Sequence, residues 1–191
     1  GAVHIKTVNH IRGKQDIFEF TLSQDTIEPN YSLPQKYIYE PNSAIMKSGG
    51  FSQVGLYYNL NKLHKHSHLY SSNQLIDFPG RVFEIQECFQ YAKKELKNKF
   101  KNAKYNITTR NFPESVEQIR SRWHIKDGGD LYCFFTTDVN NLIASASYVK
   151  FNDPDAIDFS STTNGKLDWI ALINNTANWN YYNTDADYDT T

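Results

Sequence analysis

Between residues 80 and 151 the spacing of apolar residues switches repeatedly between a period of about two and one of about 3.6. That alternation constrains the fold more than any other feature of the chain. "RVFEIQECF" places Val82, Phe83 and Ile85 in a strand, which leads into the helical "YAKKELKNKFKN". "KYNITTRN" reads as a strand. "FPESVEQIRSRWHI" reads as a helix, with Pro113 in its first turn and Val116, Ile119 and Trp123 on its buried side. After a turn at Asp127-Gly128-Gly129, "DLYCFFTT" and "LIASASYVKF" form a hairpin through Asp138 to Asn141. The order β-α-β-α-β-β predicts an α+β fold with two helices on one face of a sheet.

The preceding residues divide in two. Residues 1–35 alternate as a strand pair, "VHIKTVNHI" and "DIFEFTLS", separated by "RGKQ". Residues 36–79 hold a helical segment and a histidine-rich strand. Their "EPNSAIMKSGGFSQVGLYYNL" reads as helix, Gly-Gly turn, helix. Residues 152–191, rich in Asn, Asp, Thr and Tyr, form an acidic tail in which "KLDWIALI" suggests one more strand or short helix. Cys88 and Cys133 sit in strand-like runs without CxxC spacing, which predicts buried thiols in a reducing compartment. No stretch approaches a membrane-spanning length, so the chain reads as soluble and cytoplasmic, with no membrane partner.

The stretch "KLHKHSHLYSSN" presents His64, His66 and His68 at alternate positions. A zinc site needs its ligand nitrogens about 2.0–2.1 Å from one point. On an extended strand His64 and His68 stand roughly 13 Å apart, so the stretch reads as a solvated or RNA-facing strand rather than a metal site. Neither GxSxG nor an activated cysteine is present, and no GxxxxGK[ST] or GxGxxG phosphate cradle occurs. Glu84 and Glu87 fall on opposite strand faces. The chain is therefore not expected to be catalytic by itself.

The lysines of the first long helix carry more information. At 100° per residue Ala92, Leu96, Phe100 and Ala103 share one arc, while Lys93, Lys94, Lys97, Lys101 and Lys104 crowd an adjoining one. Residues 1–150 hold 19 Lys and Arg against 14 Asp and Glu, and residues 151–191 hold one Lys against seven Asp. A basic body with an acidic tail points to a polyanionic partner. Arg110, Arg120 and Arg122 would join the lysines as phosphate contacts. Tyr91 and Tyr105 would stack on unpaired bases. The alternatives are a protein-interaction domain without a nucleic-acid role and a metal-dependent hydrolase built on His64, His66 and His68.

The strings "YIYEPNSAIMKSGGF", "KLHKHSHLYSS", "DFPGRVFEI" and "NITTRNFPESVEQIRSRWHIKDGGDLYCFFTT" occur in a fixed order. Together they resemble the THUMP-like C-terminal region of Bacteroidetes-type class I SAM-dependent methyltransferases. The resemblance runs from about residue 36 to 137. The family pattern matches Glu40, Pro41, Asn42, Ala44, Ile45, Met46, Lys47 and Gly49, then His64, His68, Leu69, Tyr70, Pro79, Gly80 and Arg81. Further on it matches Asn106, Ile107, Arg110, Phe112, Pro113, Gly128 and Gly129. His66 lies outside the pattern. Nothing here resembles the family's glycine-rich SAM loop or its catalytic motif, and the tail after about residue 150 matches nothing in it.

The resemblance implies an RNA-binding accessory region of an RNA methyltransferase, acting on rRNA or tRNA. It would position substrate for a separate Rossmann-like catalytic domain that carries S-adenosylmethionine, with no cofactor in this chain. Glu40, Asn42, Lys47, His64, His68, Tyr70 and Arg81 are then motif or docking residues facing that domain.

Overall fold

A computed structural model describes residues 2–11, 14–22, 28–101, 103–140 and 143–151, the last stretch as backbone. The tail from residue 152, with its "KLDWIALI", lies outside the described residues, as do Arg12, Gly13 and Asn141 of the two expected turns. Strands β1 (Val3–Ile11) and β2 (Lys14–Leu22) pair antiparallel from Val3↔Leu22 to Ile11↔Lys14. Strand alternation turns Thr7, Asn9, Ile11, Phe18 and Phe20 inward and leaves His4, Lys6, His10 and Glu19 exposed.

Strand β3 (Tyr37–Pro41) is buried along its whole length. This corrects the expectation that a helix begins at Glu40. A residue before proline is held extended, so Glu40 continues the strand. The helix waits for Asn42, whose Oδ1 accepts from Ile45 N at 3.0 Å. Helix α1 (Ser43–Ser48) ends at Gly49, with φ 75°, and α2 (Phe51–Tyr57) follows.

The histidine-rich stretch is not a strand. Between β4 (Asn61–Lys62) and β5 (Tyr70–Ser72) it closes a compact turn, in which Leu63 N donates to Leu69 O at 3.0 Å. Both leucines are fully buried, and their burial folds the polar residues between them back on themselves.

The remaining elements are β6 (Gly80–Gln90), α3 (Lys93–Lys99), β7 (Lys104–Arg110), α4 (Val116–Trp123), β8 (Lys126–Thr137) and β9 (Ile143–Phe151), in the order expected. Pro113 precedes α4 rather than opening it. Ser115 is the cap, and it exchanges hydrogen bonds with Gln118 in a capping box. Asp127-Gly128-Gly129 is not a turn leading into a strand but an excursion within β8. The register jumps from Tyr105↔Asp127 to Asn106↔Tyr132, and both glycines take positive φ.

Among the described residues seven strands form one sheet in the order β4-β5-β3-β6-β9-β8-β7, antiparallel throughout except for β7 beside β8. On β3 and β6, Tyr37, Tyr39 and Val82 face one way, while Ile38 and Phe83 face the other. A bulge between Ile85 and Glu87 then moves Glu87 and Phe89 to the face of Val82. Glu84 and Glu87 therefore share a face, contrary to simple alternation. On that face lie α1, α2, the β1–β2 hairpin, α3 and α4, over Tyr39, Phe89, Cys133 and Phe135. Cys133 is buried, and burial pushes its thiol pKa up; Cys88 is exposed, which corrects the expectation of two buried thiols.

The opposite face is not open. Glu40 on β3 bonds Arg110 at the end of β7, although β6, β9 and β8 stand between those strands. The sheet therefore curls, with Ile38, Leu63, Leu69, Phe83 and Phe134 packed inside the curl.

Gly80 marks where β6 passes closest to β3, since an added Cβ would lie 2.1 Å from Glu40 O and 2.9 Å from Pro41 Cα. Gly80→Ala is expected to cost about 3 kcal/mol, the range of severe core clashes, measured by denaturant unfolding. A loss below about 0.5 kcal/mol would show that the two backbones separate freely.

Candidate nucleic-acid interface

Helices α3 and α4 bury Leu96, Phe100 and Ile119 against Phe89, Tyr105, Cys133 and Phe135. Phe100 and Trp123 meet edge to face at 6.4 Å, so the two helices share one aromatic layer. The apolar arc of α3 is thus spent on the body, and its basic side turns outward. Lys93, Lys94, Lys97, Lys101 and Lys104 are exposed, and among the described residues none of the five has an ion pair. They do not all lie on one helical arc. The helix stops at Phe100, Lys101 lies in the following turn, and Lys104 begins the edge strand β7. There it pairs with Lys126, an exposed lysine that helix periodicity could not have associated with the patch. Lys99 points back instead, bonding Glu87 and lying 4.7 Å from the Phe89 ring centroid.

The arginines behave differently from the expectation. Arg122 Nη1 donates to Glu114 Oε1 at 2.7 Å. Arg120 bonds Asp127 and donates to Tyr105 O at 3.1 Å. Arg110 lies on the inner face of the curl, away from the helices, and donates to Glu40 Oε1 at 2.5 Å. Each guanidinium is committed to a carboxylate, so the exposed patch is a patch of lysines. Nor are the two tyrosines free to stack on bases. Tyr105 is buried beside Phe100, and Tyr91 is wedged between Phe112, Trp123 and Phe135. The Tyr91 hydroxyl donates to Glu114 at 2.9 Å and accepts from Trp123 Nε1 at 2.9 Å; burial raises its pKa.

The remaining motif residues gather around the curl. Glu40, only 1 % exposed, accepts from Arg81 Nε at 2.8 Å as well as from Arg110. Arg81 also lies 5.3 Å from the Phe83 centroid and 5.6 Å from that of Tyr132. Asn42 caps α1, and the Tyr70 hydroxyl donates to Phe51 O at 2.7 Å, so both are structural; Lys47 is exposed on α1. His64 Nδ1 lies 2.9 Å from Asn111 Nδ2, and Thr137 Oγ1 donates to Asn111 O at 2.7 Å. These bonds stitch the histidine turn to the far edge of the sheet. His68 has positive φ and stacks on Phe51 at 3.6 Å. Among the described residues no three His, Cys, Asp or Glu side chains converge as a metal site.

Sequence reasoning missed Asn111, Tyr132 and Lys62. Lys62 is 3 % exposed and has its pKa lowered by burial. No apolar run marks it, since Asn61 and Lys62 are both polar between Leu60 and Leu63.

Burial, with Lys62, His66 and Arg110 nearby, pulls the His68 pKa from 6.5 to about 4. An imidazole with a depressed folded pKa takes up its proton earlier in the unfolded chain. Its contribution to stability is therefore full above about pH 6.5 and declines as pH falls towards 4. The melting temperature should fall across that window, and His68→Asn, which tolerates the left-handed backbone, should flatten the fall. Identical pH profiles would contradict the assignment.

Two family models match adjacent stretches, a ferredoxin-like domain at residues 37–79 and a THUMP domain-like model at residues 80–146. Among solved structures, the chain is similar to a putative methyltransferase from Porphyromonas gingivalis W83, with 32% sequence identity and a TM-score of 0.72. That match covers 79% of this chain and 38% of the other, so the chain spans well under half the length of the protein it resembles. No curated protein matches.

Proposed function

Because the chain carries the THUMP-like region of a methyltransferase-related protein, we propose that it is the RNA-binding accessory region of a SAM-dependent RNA methyltransferase. The observation that carries this reading is the exposed lysine group on and beside α3, without an ion pair among the described residues and backed by a buried apolar arc. Lysine ammonium groups neutralise phosphates and release condensed counterions, and a rigid aromatic layer holds them at fixed spacing. THUMP domains generally bind RNA, which favours that polyanion over others.

On this reading the lysine face grips rRNA or tRNA in the cytoplasm and presents it to a separate catalytic domain. S-adenosylmethionine would supply the methyl group there. The 191 residues contain no glycine-rich cradle of the GxGxxG kind, which supports assigning that cofactor to the separate domain. What its residues do is bind and orient: Lys93, Lys94 and Lys97 lie on one short helix, and Lys101, Lys104 and Lys126 continue the surface to the sheet edge.

Filter binding of tRNA and rRNA fragments over a range of salt tests this. Each neutralised phosphate contributes roughly 0.7–0.9 to the slope of log affinity against log salt. Lys94→Glu with Lys97→Glu should lower affinity at least about tenfold and reduce the slope by about 1.5. Salt-independent binding, or an unchanged slope in the double variant, would contradict the proposal.

A further inference from the structure

The lysine face has a polyanion close at hand in the chain itself, and strand register fixes where that polyanion begins. Tyr132 on β8 pairs with Asn106 of β7 on one side and with Val149 of β9 on the other. β7 runs parallel to β8 and β9 antiparallel, so Lys104 and Phe151 both lie two residues beyond that line, at the same end of the sheet. Only β8 stands between them, and two strand spacings of about 4.8 Å put Phe151 roughly 10 Å from Lys104. Lys126 pairs with Lys104 at this end, and Lys126 N donates to Ala103 O at 3.0 Å, which ties it to the turn after α3. The helix itself starts beyond Gln90, at the opposite end, so its lysines run from Lys93 towards the point where β9 stops.

Residues 152–191 bring seven aspartates and one lysine. Asp153, Asp155 and Asp158 are the first of them, and seven extended residues cover roughly 25 Å, so Asp158 can reach well past Lys104. The later aspartates have chain enough for the whole of α3, whose seven residues rise only about 10 Å. No other lysine group on the described surface offers an equal target. Lys6, Lys36 and Lys99 are paired with Glu19, Glu84 and Glu87, Lys62 is buried, and Lys47 and Lys65 lie on α1 and in the histidine turn. Nor do the acids of the β8 excursion neutralise the face. Asp127 is bound to Arg120, and Asp130 makes no ion pair among the described residues.

We propose that residues 152–191 lie against the lysine face as an intramolecular acidic strap, which RNA displaces when it binds. The contact rests on charge and register, and the displacement rests on the RNA-binding reading. Tethering holds the aspartates at an effective concentration on the order of millimolar, which no free carboxylate matches. Seven charges spread over forty residues are sparse beside a nucleic-acid backbone, and they release no condensed counterions on binding, so RNA outcompetes them. The strap therefore screens out single anions and short acidic peptides, and yields to a backbone whose phosphates meet several lysines at once.

The test uses the full chain. A zero-length carbodiimide, which joins a carboxylate to an amine only where the two touch, is applied without RNA, and the cross-links are mapped by mass spectrometry. Tail aspartates should join Lys101, Lys104 and Lys126 above all. The yield should not depend on protein concentration and should vanish near about 1 M salt, where the screening length is about 3 Å. No tail cross-links, cross-links spread evenly over Lys6, Lys47 and Lys65, or a yield that rises with protein concentration overturns the strap. Asp153→Asn, with the same change at the other six tail aspartates, should bind RNA about tenfold more tightly at low salt. That is the effect of removing a tethered competitor at about 1 mM whose dissociation constant is about 0.1 mM. Equal RNA affinity in wild type and variant overturns the displacement. Failure of both chains to bind RNA removes the RNA-binding reading instead, and the cross-links alone then decide the strap.

Discussion

The carboxylate of Glu40 is the constraint on which the rest of the structure depends. It is buried, it sits at the end of a central strand, and it binds two guanidinium groups, Arg81 on the adjacent strand β6 and Arg110 at the end of the edge strand β7. A carboxylate out of water is tolerable only with such partners, and the arginines in turn are tolerable inside the curl only because of it. The consequence is geometric. The sheet is drawn round until the histidine turn after β4 reaches Asn111, the residue after β7. Gly80 belongs to the same device, since only a residue without Cβ lets β6 pass this close to Glu40.

The curl also explains the division of labour between faces. Charged groups that belong to the inside are matched there, so Arg81 and Arg110 hold the fold instead of meeting a ligand through their terminal nitrogens. The helices cover the other face through an aromatic layer; α3 turns lysines to solvent, while α4 exposes Glu117, Gln118, Ser121 and Arg122. Lysine suits a sequence-tolerant phosphate grip, being a compact charge on a flexible stem, whereas arginine's planar fork suits Glu40, where Arg81 brings two nitrogens to one oxygen and Arg110 one to the other. The matched family models, a ferredoxin-like and a THUMP-like unit in tandem, divide the chain at residue 80. Physically the two halves share one sheet, because β3 pairs with β6 across that division.

Much of this was legible in the sequence, for reasons that are local. The β-α-β-α-β-β order follows from apolar periodicity, and the outward turn of Lys93, Lys94 and Lys97 follows from the arc of Leu96 and Phe100. What was illegible depends on a single inserted residue or on distant partners. The extra residue at Gln86 flips Glu87 onto the helix face and gives Lys99 its partner, and no alternation rule detects it. Glu40 reaches Arg81 and Arg110 across 41 and 70 residues, so the arginines looked free when read along the chain. Tyr91 and Tyr105 looked available for bases because their burial is set by Phe100, Phe112, Trp123 and Phe135 converging from four segments. The histidine turn looked like a strand because alternate spacing has no means of showing that Leu63 and Leu69 fold together.

The most direct measurement of the central claim is a double-mutant cycle on Glu40→Gln and Arg110→Met, followed by denaturant unfolding. If Glu40 closes the curl by holding Arg110 across three intervening strands, the two losses are strongly non-additive, with a coupling of about 2 kcal/mol or more. Losses that add to within about 0.5 kcal/mol would mean that the residues act independently, and the curl of the sheet would need another cause.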